Sequence, residues 1–65
     1  MITYEPLFKT LHEKDLLIKD LYDVIGPDTA TKFKKGESMR LDTIDKVCLY
    51  LNVSIDKVVA IIPDE

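Results

Sequence analysis

Apolar residues recur along this chain at intervals of three and four, and a few punctuating residues cut the resulting stripes into short segments. Leu7, Phe8 and Leu11 share one face at helical spacing, with Lys9, Glu13 and Lys14 elsewhere. A first helix is therefore expected to open at Pro6, where the missing N–H costs nothing. Asp15 and Leu16-Leu17 read as the break, and Leu16 is expected to tuck under the domain. Ile18, Leu21, Tyr22 and Ile25 then repeat at i, i+3, i+4 and i+7, which predicts an amphipathic second helix with Lys19, Asp20 and Asp23 on its wet side. Gly26 and Pro27 mark a sharp corner, because glycine suits the left-handed position after a helix and proline forbids continuation.

A third helix is expected from a cap at Asp28 or Thr29 to about Lys35, with Gly36 ending it. Only Ala30 and Phe33 can face inward, so Thr29, Thr31, Lys32, Lys34 and Lys35 keep access to solvent. A helix that buries so little usually exists for what its outer face touches. Glu37 to Arg40 is a loop, and Leu41, Ile44, Val47, Cys48 and Leu51 draw the stripe of a fourth helix, closed by Asn52. Ser54 is expected to cap a fifth segment, in which Ile55, Val58, Val59 and Ile62 again repeat at helical spacing. The run from Val58 to Ile62 is mostly β-branched, so its second half can be extended instead, and Pro63 stops either form. Tyr22 and Tyr50 read as core or core-edge residues, while Tyr4 is undecided. The pattern describes an all-α fold, a single domain over residues 1–65 built as a compact bundle of about five short helices.

Composition narrows the function. A chain of 65 residues buries only about 60% of its unfolded surface, so its core is thin and no ligand pocket is suggested. With 46% hydrophobic and 32% charged residues the chain is not a disordered one. No apolar run approaches the ~20 residues of a membrane span, and the start lacks a signal-peptide pattern, so no membrane association and a cytoplasmic location are expected. The lone Cys48 fits a reducing compartment, and it sits on an apolar stripe as a small core residue. His12 and Cys48 cannot make a metal site between them, and no nucleophile, base and orienting group occur together. Neither catalysis, a metal nor a cofactor is expected.

Charge is polarised. The net charge is −3, yet the stretch Asp28–Arg40 carries Lys32, Lys34, Lys35 and Arg40, opposed after its capping acid only by Glu37. Both flanking stretches carry more acids than lysines. A basic face on an acidic molecule is the footprint of an anion-binding surface, and DNA is the polyanion most often met by a short helix. The competing reading is a solvated helix face that happens to be basic.

Short helices with a glycine corner between the second and third describe a helix-turn-helix. Lys35-Gly36-Glu37-Ser38, Leu41-Asp42-Thr43-Ile44-Asp45-Lys46-Val47-Cys48, Tyr50-Leu51-Asn52-Val53-Ser54 and Asp56-Lys57-Val58-Val59 closely resemble the third-helix exit, fourth helix and start of the fifth in the phage Cro and phage-repressor (Xre-type) family. Ile18, Asp20-Leu21 and Ile25-Gly26 resemble its second helix. The chain departs from that pattern in a corner about two residues shorter, without the usual apolar residue after the glycine, and in Leu17, where Ser or Thr is common.

The resemblance implies a small phage or bacterial transcription regulator that binds double-stranded DNA. Thr29, Thr31, Lys32 and Lys34 would face the groove, while Lys35, Ser38 and Arg40, with Lys19 from the second helix, would grip phosphates. Few phosphate contacts per chain call for a homodimer, and the apolar C-terminal segment with Val59, Ile61 and Ile62 is the expected interface. The alternative is a helix-turn-helix fold turned to protein recognition, as an antirepressor, inhibitor or accessory factor, which the shortened corner, Leu17 and the acidic flanks favour.

Overall fold

In the computed structural model, which describes residues 1–63, the two ends of the described chain meet. Ile2–Thr3 (β1) pairs antiparallel with Ala60–Ile61 (β2), Ile2 opposite Ile61 and Thr3 opposite Ala60. The Ile62 N–H donates to the Met1 carbonyl at 2.7 Å and continues the ribbon. The second half of the C-terminal segment is therefore extended, as its β-branched side chains allow. Its first half is a 3₁₀ turn, Ile55–Lys57, so no fifth α-helix forms. The pull of the ladder on Ala60 and Ile61 leaves too few residues for one.

Between the strands lie α1 (Glu5–Glu13), a 3₁₀ turn (Ile18–Leu21) that runs into α2 (Tyr22–Ile25), α3 (Pro27–Lys35) and α4 (Leu41–Leu51). The second predicted helix is thus only half α-helical. Asp20 explains this: its Oδ2 accepts the Leu17 N–H at 2.7 Å while its own N–H donates to the Leu17 carbonyl at 2.9 Å, closing a tight i to i+3 turn.

Three helices end with the same device. After α1, α3 and α4 a residue with positive φ, namely Asp15, Gly36 and Asn52, turns the chain. The next residue's N–H reaches back to the last turn: Leu16 to the Leu11 carbonyl at 2.8 Å, Glu37 to Lys32 at 3.1 Å, Val53 to Cys48 at 3.0 Å. This is the Schellman closure, which satisfies carbonyls the helix leaves open.

The core gathers Tyr4, Leu7, Leu11, Leu21, Phe33, Ile44, Val47, Leu51 and Val58, with Leu16, Ile18, Ile25 and Cys48 packed at its edge. Burial pushes the Cys48 thiol up, helped by the nearby Asp45 and Asp56 carboxylates, which keeps it in the unreactive form. Several stripe residues are not inside. Phe8 is exposed because α1 turns Thr10 inward instead, where its hydroxyl donates to the Lys57 carbonyl at 2.7 Å. Leu41 is 75% exposed, since it opens α4 on the shoulder of the face that Ile44, Val47 and Leu51 bury. Tyr22 and Tyr50 are exposed, and the buried tyrosine is Tyr4, at 3%. Tyr4 continues the stripe of Leu7 and Leu11 back by three residues.

Candidate nucleic-acid interface

The corner between α2 and α3 is a single residue. Gly26 donates its N–H to the Tyr22 carbonyl at 2.8 Å, ending α2, and its carbonyl accepts the Ala30 N–H at 3.1 Å, opening α3. Its backbone, φ 86° and ψ 154°, lies outside the left-handed helical region and in one open essentially to glycine alone. Pro27 takes the first helical position, and neither Asp28 nor Thr29 caps the helix with its side chain. The fixed φ of proline already suits that position, so the cap expected there is displaced by one corner residue.

α3 packs on the 3₁₀ turn and α2, and its Ala30 and Phe33 are essentially fully buried. At about 100° per residue, Asp28, Thr31, Lys32 and Lys35 then lie more than about 120° from the buried direction. Thr29 and Lys34 lie on opposite shoulders, and Thr29 is half-buried. Lys34, with part of Lys35, lines a shallow hollow with Thr3, Glu5 and Phe8, on the side of α3 that faces the amino-terminal strand. The outward face is therefore Thr31, Lys32 and Lys35, with Asp28 at its amino-terminal end. The Thr31 hydroxyl donates to the Pro27 carbonyl at 2.9 Å, which leaves its methyl free for contact.

Charge runs along this helix with its dipole: Asp28 in the first turn, Lys32, Lys34 and Lys35 in the last. That arrangement stabilises the helix and also concentrates positive potential at its exit. There Gly36, left-handed at φ 74°, releases the loop that carries Ser38 and Arg40, both exposed. Arg40 Nε sits 3.3 Å from Asp42 Oδ1, an exposed pair of small energetic weight. Lys19 is exposed in the 3₁₀ turn against which α3 packs. Sequence reasoning had no means of finding the Tyr4 hydroxyl, which donates to the Glu37 carbonyl at 2.7 Å in this same loop.

The three C-terminal residues expected to share an interface do not share a face. Val59 and Ile61 line an apolar groove of about 450 Å³ with Ile2, Leu41, Ile44 and Ile55, whereas Ile62 lines a more polar cleft with Glu5, Lys9, Glu13 and Lys57. Successive strand residues point to opposite sides, which separates Ile61 from Ile62.

Two consecutive helices joined at a tight corner, the second exposing a basic face, are the geometry of a helix-turn-helix. Residues 7–64 match the family described as the Cro/C1-type HTH DNA-binding domain. The chain belongs to that family. The Cro/C1-type domain here is also similar to a solved structure titled as the transcriptional regulator VanUg, at 26% identity and a TM-score of 0.87, over 97% of this chain and 87% of that one. No curated protein sequence matches the chain. Among the described residues no helix is long and apolar enough to cross a membrane.

Proposed function

We propose that this Cro/C1-type domain is a transcriptional regulator that binds double-stranded DNA as a homodimer, with α3 in the major groove of each half-site. The observation that carries the reading is the division of α3 into Ala30 and Phe33, given to the core, and Thr31, Lys32 and Lys35, given to solvent. Lysine donates to guanine O6 and N7, and the threonine methyl meets that of thymine. Thr29 and Lys34 reach the groove walls from the shoulders. Lys19, Ser38 and Arg40 hold phosphates, Arg40 by exchanging Asp42 for the DNA backbone.

α3 lacks Asn, Gln and Arg, the usual makers of bidentate base contacts, so one copy discriminates weakly. A second copy about one helical turn away doubles the contacts. Ile61, 78% exposed, and Leu41 stand as apolar ridges beside the groove that Val59 lines, a combination that a two-fold interface requires on one surface. The test is a mobility shift on random-sequence duplex at low salt. Wild type is expected to shift the duplex and the K32E/K35E double variant to leave it free. A double variant that shifts it equally well would refute the reading.

A further inference from the structure

We propose that Tyr4 is a positioning residue for DNA binding, whose hydroxyl locks the exit of α3 and so aims the phosphate-gripping loop that follows. This rests on the function proposed above and goes beyond it, since Tyr4 lies in the core and touches no DNA.

The three Schellman closures differ in what clamps them. After α1 and α4 the residue past the turn is apolar, Leu16 and Val53, and each packs at the edge of the core, which pins the exit by burial. After α3 the corresponding residue is Glu37, which is exposed and is not among the apolar residues packed on the core. Its closure has the usual backbone bonds, Glu37 N–H to Lys32 and Gly36 N–H to Phe33, but lacks the apolar clamp. Tyr4 stands in for it. Its ring meets Phe33 edge-on, centroids 4.8 Å apart at 75°, and its hydroxyl donates to the Glu37 carbonyl at 2.7 Å. One side chain thus holds α3 at its largest buried residue and at the first residue beyond its end. Tyr4 itself is fixed at both sides, following β1 and supplying the carbonyl that accepts the Leu7 N–H at 3.0 Å as α1 begins. Burial raises its hydroxyl pKa, so it remains a donor across the physiological range.

Y4F keeps the ring contact and removes only the clamp. Thr10 supplies a matched control: its hydroxyl also donates to a distant backbone carbonyl at 2.7 Å, that of Lys57 in the 3₁₀ turn Ile55–Lys57, which belongs neither to α3 nor to its exit. T10V removes that bond. Both variants are expected to melt a few degrees below wild type, each having lost one long-range hydrogen bond.

They should part in two readouts taken well below either melting temperature. In Y4F the dependence of log K on log salt for duplex DNA flattens by about one, as Ser38 or Arg40 loses its phosphate, with affinity about fivefold weaker. T10V keeps the wild-type slope. By hydrogen exchange the amides of Gly36 and Glu37 speed up in Y4F and hold in T10V, while those of Leu16 and Val53 hold in both. A Y4F protein with the wild-type slope, or with Gly36 and Glu37 amides as slow as before, overturns the proposal. If wild type binds no duplex, the proposed function fails instead, and the exchange comparison still decides whether Tyr4 locks the exit.

Discussion

Replacing Gly26 by alanine isolates what the one-residue corner demands of the backbone. An added Cβ at Gly26 meets nothing within 4 Å, and the same holds at Gly36, so neither substitution is opposed by a collision. The two sites differ in conformation alone. Gly36, at φ 74° and ψ 23°, is left-handed helical, a region an alanine enters at a cost of about 1 kcal/mol. Gly26, at φ 86° and ψ 154°, lies where side-chain-bearing residues are almost never found, at a cost of about 2 kcal/mol. In a domain of this size each kcal/mol shifts the midpoint by about 4–8 °C, so G26A should melt roughly 8–16 °C below wild type and G36A about 4–8 °C below. Gly26 must also serve two helices, as its N–H and carbonyl do, so no relaxation at one end leaves the other intact. Thermal melts of the three proteins followed by circular dichroism supply the comparison. A G26A midpoint no lower than that of G36A would refute the reasoning, because it would mean the corner relaxes into an ordinary turn.

Ile61→Lys places a charge on the most exposed aliphatic of the apolar groove, and the protein is expected to sediment as a monomer and to lose more than tenfold in DNA affinity, since half-sites are then bound singly; an unchanged sedimentation coefficient and affinity would place the dimer interface elsewhere. Asp56 is held below the ordinary carboxylate value chiefly by the Ser54 hydroxyl, 2.6 Å from its Oδ1. The folded pKa is depressed, so this bond contributes stability above the unfolded value and loses it as pH falls through the folded one. Urea melts should therefore separate wild type from S54A at neutral pH and bring the two together as acid protonates Asp56, whereas a gap that persists once Asp56 is protonated would mean the hydroxyl acts through something other than Asp56.

How far the fold could be read from the sequence depended on whether the deciding contacts were local. α1, α3 and α4 were legible because their apolar spacing and the Gly36 and Asn52 stops lie within each segment. The 3₁₀ turn at Ile18–Leu21 was not, because Leu21 is buried at the same spacing in either form and the choice is made by the Asp20 carboxylate. The ribbon of Ile2–Thr3 with Ala60–Ile61 joins the two ends of the described chain, and no local pattern in Ile2-Thr3 announces its partner. Tyr4 was undecided for a similar reason: its ring partner Phe33 and its acceptor Glu37 belong to another helix and the loop after it. For the candidate interface, the division of α3 into inner and outer faces was read correctly from Ala30 and Phe33, and the structure adds that Lys34 and Thr29 sit on opposite shoulders. Val59, Ile61 and Ile62 were grouped as one expected interface because their segment is apolar, and strand alternation parts Ile62 from the groove that Val59 and Ile61 line.

The central claim is that the outer face of α3, and not the charge of the molecule at large, meets DNA. Affinity for one duplex measured by fluorescence anisotropy across a series of salt concentrations tests it most directly, comparing wild type with Lys32→Gln, Lys35→Gln and, as a control beyond the far end of α4, Lys57→Gln. The slope of log K against log salt should fall by about one for each α3 variant and stay at the wild-type value for the control. Equal slopes for all four proteins, or a loss confined to Lys57→Gln, would contradict it.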